Sequence, residues 1–170
     1  MLQIRCKWIV TIGVVVLLDQ LSKFLVSYYM ILKQPSIDII PNFLSFSYIT
    51  NDGIAFGLNP FGGKTLLLLS VIAIFFVAKM LYDAKQTSGL TQFSLSLILG
   101  GAIGNFLDRF FTAFQIMNYN GVIDFIYINP FIIDFPYIFN LADSSITIGI
   151  FLYIASFLKY QNINAKKTIK

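Results

Sequence analysis

Four apolar runs dominate the chain, and polar positions are confined to their ends and to a few sites inside them. The runs cover approximately residues 8–30, 65–82, 92–111 and 142–160. At a rise of about 1.5 Å per residue, ~20 residues cross a hydrocarbon core of ~30 Å, so each run predicts a transmembrane helix, the second being the shortest. Trp8, Tyr28, Tyr29, Tyr82 and Tyr160 stand near the run ends, where an interfacial aromatic belt is expected. Arg5 and Lys7 before the first run look like the start of a secretory signal. No small-x-small cleavage site follows, and Asp19 and Lys23 interrupt the run, so an uncleaved first span is the better reading.

The pattern changes between runs one and two and between runs three and four. Residues 36–60 contain Ile37, Ile39, Phe43, Phe46, Tyr48 and Ile49, with Pro41 and an Asn-Asp-Gly turn at 51–53. Residues 121–139 read similarly, from Val122 through Ile128 to an Asn-Pro step and further apolar positions. Branched and aromatic stretches bounded by Asn, Gly and Pro predict short strands, hence a small β-sheet resting on one membrane face. The polar tail from Gln161 is expected to be loosely ordered. The whole chain, 1–170, is expected to form one unit.

Charge orients this frame. Arg5 and Lys7 precede run one, Lys79 and Lys85 flank the short second connection, and Lys159, Lys166, Lys167 and Lys170 follow run four. The other connections hold Lys33, Lys64 and Arg109, but also Asp38, Asp52, Asp108, Asp124 and Asp134. Cytoplasmic loops collect Lys and Arg, so both termini are expected in the cytoplasm and the strand-forming segments outside. The net charge of +4 is accounted for by topology, and no aromatic-basic pattern points to nucleic acid.

Composition then narrows the chemistry. Mean hydropathy is +0.77 and only 12% of the residues are charged, which a soluble domain of this length could not bury. There is no His and no Glu, all eight acids are Asp, and Cys6 is the only cysteine. Ser-His-Asp catalysis, His or Cys zinc sites, disulfide frameworks and CxxC redox chemistry are thereby excluded. An enzyme built from this chain must work with Asp, Lys, Arg or Tyr.

The polar residues inside or beside the runs are the candidates, because charge there is costly and needs a partner or a task. Asp19 and Lys23 are one helical turn apart, suiting either an internal ion pair or a brace for a neighbouring polar site. Asn105, Asp108 and Arg109 form a polar stripe at the outward end of run three, below glycines 100, 101 and 104, whose spacing lets helices approach closely. An Arg in that place can hold a carboxylate or a substrate carbonyl. Asp124 alone could be a solvated strand residue, and Asp143 alone a first-turn acid of helix four. If residues 125–142 fold back, the two carboxylates meet. They would then share a proton, one serving as base toward water and the other as acid toward the scissile amide. The helix terminus favours Asp143 as the ionised member.

Five separated motifs carry a family resemblance. They are Asp19-Gln-Leu-Ser-Lys23, Asn51-Asp-Gly-Ile-Ala-Phe-Gly57, Gly100-Gly-Ala-Ile-Gly-Asn-Phe-Leu-Asp-Arg109, Val122-Ile-Asp-Phe125 and Phe139-Asn-Leu-Ala-Asp143. In this order, on a four-span frame, the chain resembles bacterial lipoprotein signal peptidase, also called signal peptidase II. The resemblance implies a cofactor-free aspartic endopeptidase of the bacterial cytoplasmic membrane with Asp124 and Asp143 as catalytic pair. Its implied substrate is a prolipoprotein with a diacylglyceryl-modified cysteine, cut just before that cysteine at the extracytoplasmic face. It further implies Asn51, Gly53, Asn105, Arg109 and Asn140 lining or supporting the site, and Asp19, Lys23 and Asp108 as polar scaffold. Residues 36–60 become part of a cradle over the substrate. Membrane lipids are the surroundings, no metal or nucleic acid is called for, and a monomer is expected. Two departures are visible: one additional residue between Pro136 and Asn140, and Asp134 as a further acid between the pair. The alternative from another class is a small polytopic transporter or assembly subunit without hydrolytic activity, its polar residues lining a path or gluing helices.

Overall fold

The computed structural model describes residues 6–53, 63–116, 119–129 and 137–168. Arg5, Asp134, Pro136, Lys170 and residues 54–57 of the second motif lie outside the described residues. The elements run α1 (Cys6–Tyr29), β1 (Ile37–Ile40), β2 (Leu44–Asn51), α2 (Gly63–Asp83), α3 (Gly89–Ala113), β3 (Val122–Ile128), β4 (Ile138–Phe139) and α4 (Leu141–Thr168). Lys7–Tyr29, Gly63–Gln86, Gly89–Ala113 and Leu141–Gln161 are long and apolar enough to cross a membrane. A 3-10 turn, Ala84–Gln86, lengthens the second span beyond the run read from the sequence.

Helix α3 is the hub and packs against α1, α2 and α4. Half of its span is buried, against 11–17% for the other three, whose apolar outer faces, such as Leu17, Phe75 and Phe151, are exposed as lipid contact requires. Because lipid is as apolar as leucine, close packing rather than water exclusion holds such helices together. Small residues on α3 make it feasible. A Cβ on Gly101 would strike the carbonyl oxygen of Ala142, and one on Gly104 would stand 2.5 Å from Asp19 Oδ2. A cluster of Leu81, Ala84, Leu95 and Leu99 closes the end remote from the sheet.

The strands form one antiparallel sheet in the order β1-β2-β3-β4. Ile49 pairs with Asp124 and Asn51 with Val122, with an irregularity between Phe46 and Ile49. Ile126 pairs with Phe139, so the chain after Asp124 returns antiparallel and delivers Asn140 to the start of α4. Ile123, Phe125 and Phe46 dock with Val26 at the end of α1, fixing the sheet on the bundle.

Two expectations need correction. Trp8 is buried rather than facing the interface: its indole N–H donates to Gln92 Oε1 and its ring lies 6.2 Å from that of Phe93. A buried indole needs an acceptor, and α3 supplies one. Tyr28, Tyr29 and Tyr82 are exposed near their helix ends, and Tyr160 is exposed near the end of its apolar span. The tail from Gln161 is helical through Thr168, since extending an existing helix needs no new nucleus.

Candidate active site

A fully buried ion trio forms the floor. Lys23 Nζ lies 2.8 Å from Asp19 Oδ2 and 2.9 Å from Asp108 Oδ2, and all three side chains are inaccessible to solvent. Its remaining hydrogen bond, 3.1 Å, goes to Asn105 Oδ1. The carboxylates are satisfied as buried acceptors must be. Gln20 Nε2 donates to Asp108 Oδ1 at 3.0 Å, the Ile123 N–H to Asp108 Oδ2 at 3.1 Å, and the Ala142 N–H to Asp19 Oδ1 at 2.9 Å.

Above this floor, the return of the chain from β3 through β4 places Asp124 and Asp143 around one side chain. Asn140 Nδ2 donates to Asp124 Oδ1 at 2.6 Å, and the Asn140 N–H donates to Asp143 Oδ2 at 3.2 Å. In return the Asp143 N–H donates to Asn140 Oδ1 at 2.9 Å, a reciprocal cap on the first turn of α4. Asn105 Nδ2 donates to Asp143 Oδ1 at 2.8 Å. Asn51 Nδ2 reaches Asp124 Oδ2 at 3.1 Å, while its Oδ1 accepts the Gly53 N–H at 3.0 Å, an Asx-type turn that aims the amide N–H toward the carboxyl.

Asp124 is only 3% exposed. Burial and then the negative charge of Asp143 push its pKa from 3.8 up to about 7, against the lowering influence of the Asn51 and Asn140 amides and of Lys23. It is therefore suited to hold a proton near neutrality. Arg109 makes no ion pair among the described residues. Its Nη1 donates to Ser70 Oγ on α2 at 3.3 Å, its Nε is buried without a partner, and its charge acts electrostatically on Asp143, Asp108 and Asp124. No cluster of potential metal ligands occurs among the described residues.

Comparison with known proteins decides the family. The model of the family described as signal peptidase (SPase) II matches residues 11–159. The chain belongs to the signal peptidase II family. The lipoprotein signal peptidases of Staphylococcus aureus strains JH9 and MW2 are each 36% identical to it over 158 residues, covering 92% of this chain and 90% of theirs. A bacterial membrane enzyme structure at 2.3 Å resolution matches with a TM-score of 0.80 at 33% identity, covering 92% of this chain and 90% of its own. A second, at 1.9 Å resolution, matches with a TM-score of 0.78 at 33% identity, over 92% of this chain and 95% of its own.

This member of the family is thus a peptidase on a four-helix membrane frame with a four-stranded antiparallel sheet. Asp19, Lys23, Asn51, Gly53, Asn105, Asp108, Asp124, Asn140 and Asp143 form one connected hydrogen-bond network, and Arg109 adjoins it through charge. Three contributors were not singled out from the sequence. Gln20 joins Asp19, Asp108 and the Gly104 carbonyl. Ser70 receives Arg109, and Thr112 Oγ1 accepts the Gly121 N–H. Gln20 lies inside the first motif, a signal that was available; a serine in an apolar helix gives none.

Proposed function

We propose that this protein removes signal peptides from diacylglyceryl-modified prolipoproteins, cutting just before the lipidated cysteine with Asp124 and Asp143 as the catalytic pair. The observation that carries the pair is that Asn140 donates to both carboxyls, to Asp124 from its side-chain Nδ2 and to Asp143 from its backbone N–H, together with the raised proton affinity of Asp124. Asp143 takes a proton from water, whose oxygen attacks the scissile carbonyl carbon. Asp124 gives its proton as the C–N bond breaks, leaving a carboxyl on the signal peptide and an amine on the lipidated cysteine. Arg109 is partly exposed and anchored on Ser70 through Nη1, and its guanidinium group offers a donor for a substrate carbonyl. Asn51, Gly53, Asn105 and Asn140 hold the pair in register, and Asp19, Lys23 and Asp108 form the scaffold below. No metal or other cofactor takes part.

The basic ends of α1 and α4 support cytoplasmic termini and, with them, a sheet and pair at the extracytoplasmic face. A lipidated substrate moves in the membrane plane, its acyl chains beside the spans and its peptide at the interface, level with the sheet. One chain supplies every group of the constellation, which suits a monomer among lipids. The transporter or assembly-subunit reading is not favoured, since the relatives are peptidases.

The test is cleavage of a diacylglyceryl-modified prolipoprotein by the purified protein beside Asp124→Asn and Asp143→Asn. Release of signal peptide by the unaltered protein, falling about 10³-fold or more in both folded variants, supports the reading. Absence of release, or turnover that survives either substitution, removes it.

A further inference from the structure

The ion trio grips both halves of the pair in the same manner. Asp19 Oδ1 accepts the N–H of Ala142, the residue before Asp143, and Asp108 Oδ2 accepts the N–H of Ile123, the residue before Asp124. Lys23 joins these two carboxylates through contacts of 2.8 and 2.9 Å. Its third bond holds Asn105 Oδ1, which turns the Asn105 Nδ2 toward Asp143 at 2.8 Å. An ammonium has three protons, and all of them have partners here. α1 is thereby tied to the backbone beside one carboxylate, the backbone beside the other, and the amide that faces the second.

A folding role alone does not require this arrangement. Buried ion groups are costly, and apolar side chains would hold three helices together as well or better. What apolar side chains cannot do is accept a backbone N–H next to each of two reacting carboxyls. We propose that Lys23, bridging Asp19 and Asp108, is a positioning residue that sets the spacing of Asp124 and Asp143 and so the strength with which they share one proton. This rests on the assignment of the pair made above. Lys23 is inaccessible to solvent, so its influence falls on turnover rather than on substrate contact. The charged groups acting on Asp124 are Asp143 from α4, Arg109 from α3 and Lys23 from α1; the amides of Asn51 and Asn140 complete its surroundings.

The experiment compares folded Lys23→Met and Asp108→Asn proteins with the unaltered one in detergent micelles. Lys79→Gln, in the exposed pair with Asp83, is the neutral control, and Asp124→Asn is run in parallel. Cleavage of the lipidated prolipoprotein is followed across pH, with kcat expressed per folded molecule. A shift of about 1 Å in a reacting group costs ~10²-fold, so a loss of at least ~10-fold in kcat is expected, with KM nearly unchanged. The two limbs of the pH–kcat profile should also move closer together, because carboxyls held farther apart couple less. Unaltered kcat and limb separation in either folded variant overturns the proposal, and so does an effect confined to KM. Failure of both variants to fold overturns it as well, the trio then being a brace and no more. Turnover surviving in Asp124→Asn would instead count against the pair itself, whereas inactive Asp124→Asn beside normal Lys23→Met sinks only the positioning role.

Discussion

Asn140 and Asp143 cap each other: the Asn140 N–H donates to Asp143 Oδ2 at 3.2 Å, and the Asp143 N–H donates to Asn140 Oδ1 at 2.9 Å. The same Asn140 also donates to Asp124, Asn105 and the Ile123 carbonyl through Nδ2. A single buried asparagine therefore follows β4, caps the start of α4 and donates to both carboxyls, to Asp143 from its backbone and to Asp124 from its side chain. Asn140→Ala removes the cap and leaves buried acceptors unpaired, and is expected to cost about 1–3 kcal/mol of stability. Asn140→Asp keeps a capping oxygen but loses the donor to Asp124 and crowds three carboxyls together. It should retain more stability than Asn140→Ala while losing cleavage at least as fully, as read by thermal unfolding beside kcat.

Much of this was legible in the sequence, for physical reasons. A bilayer demands about 20 apolar residues per helix, so each span announced itself by length, with ends displaced by only a few residues from Cys6–Tyr29 and Gly89–Ala113. Asp19 and Lys23 had to share a helix face, because i and i+4 always do. Which third residue joined them was not legible: Asp108 is 85 positions from Lys23, and only the packing of α1 on α3 brings it to 2.9 Å. Arg109 illustrates the converse. An arginine in that place can hold a carboxylate or a substrate carbonyl, and no sequence signal shows that the helix turns its Nη1 to Ser70 on α2. Trp8 sits near a span end, as interfacial tryptophans do, but the polar Gln92 on the neighbouring helix draws it inward.

The proton affinity of Asp124 has a consequence for stability. Its pKa is about 7 in the folded protein against an ordinary 3.8, so the native state binds the proton more tightly than the unfolded chain. Its contribution is fully present below pH ~4 and is lost as pH rises through about 7. Asp124→Asn removes that titration. The variant should gain stability relative to the unaltered protein between about pH 5 and 8, by up to about 4 kcal/mol at the alkaline end. Thermal unfolding of both proteins across this range checks the sign; a difference that stays flat with pH would contradict it.

Gly104 tests the closeness of α1, α3 and α4. An added Cβ would stand 2.5 Å from Asp19 Oδ2 and 3.3 Å from the Ala142 Cβ, between the carboxylate and the helix it caps. Gly104→Ala must push Asp19 away from the Ala142 N–H, and overpacking of this kind costs about 1–3 kcal/mol. Gly13 has nothing within 4 Å of such a Cβ, so Gly13→Ala serves as the comparison and should be neutral or slightly stabilising. Similar losses of stability in the two variants would contradict the close approach.

Arg109 separates the value of charge from the value of geometry. Its Nη1 is anchored to Ser70, but its Nε is buried and unpartnered, so the fork is held in place with donor capacity unused. Arg109→Lys keeps the charge that faces Asp143 and Asp124 but loses the planar fork. If a substrate carbonyl uses that fork, the variant should lose about 10²-fold in kcat/KM, within the range for removing one preorganised donor. Ser70→Ala deletes only the anchor on α2 and should cost less, under about 10-fold, because the guanidinium keeps its charge and the bond lost is a long one of 3.3 Å. Steady-state kinetics of the two variants on the lipidated substrate separate the cases. Near-normal turnover in Arg109→Lys would mean that charge alone suffices and that the fork touches no reacting group.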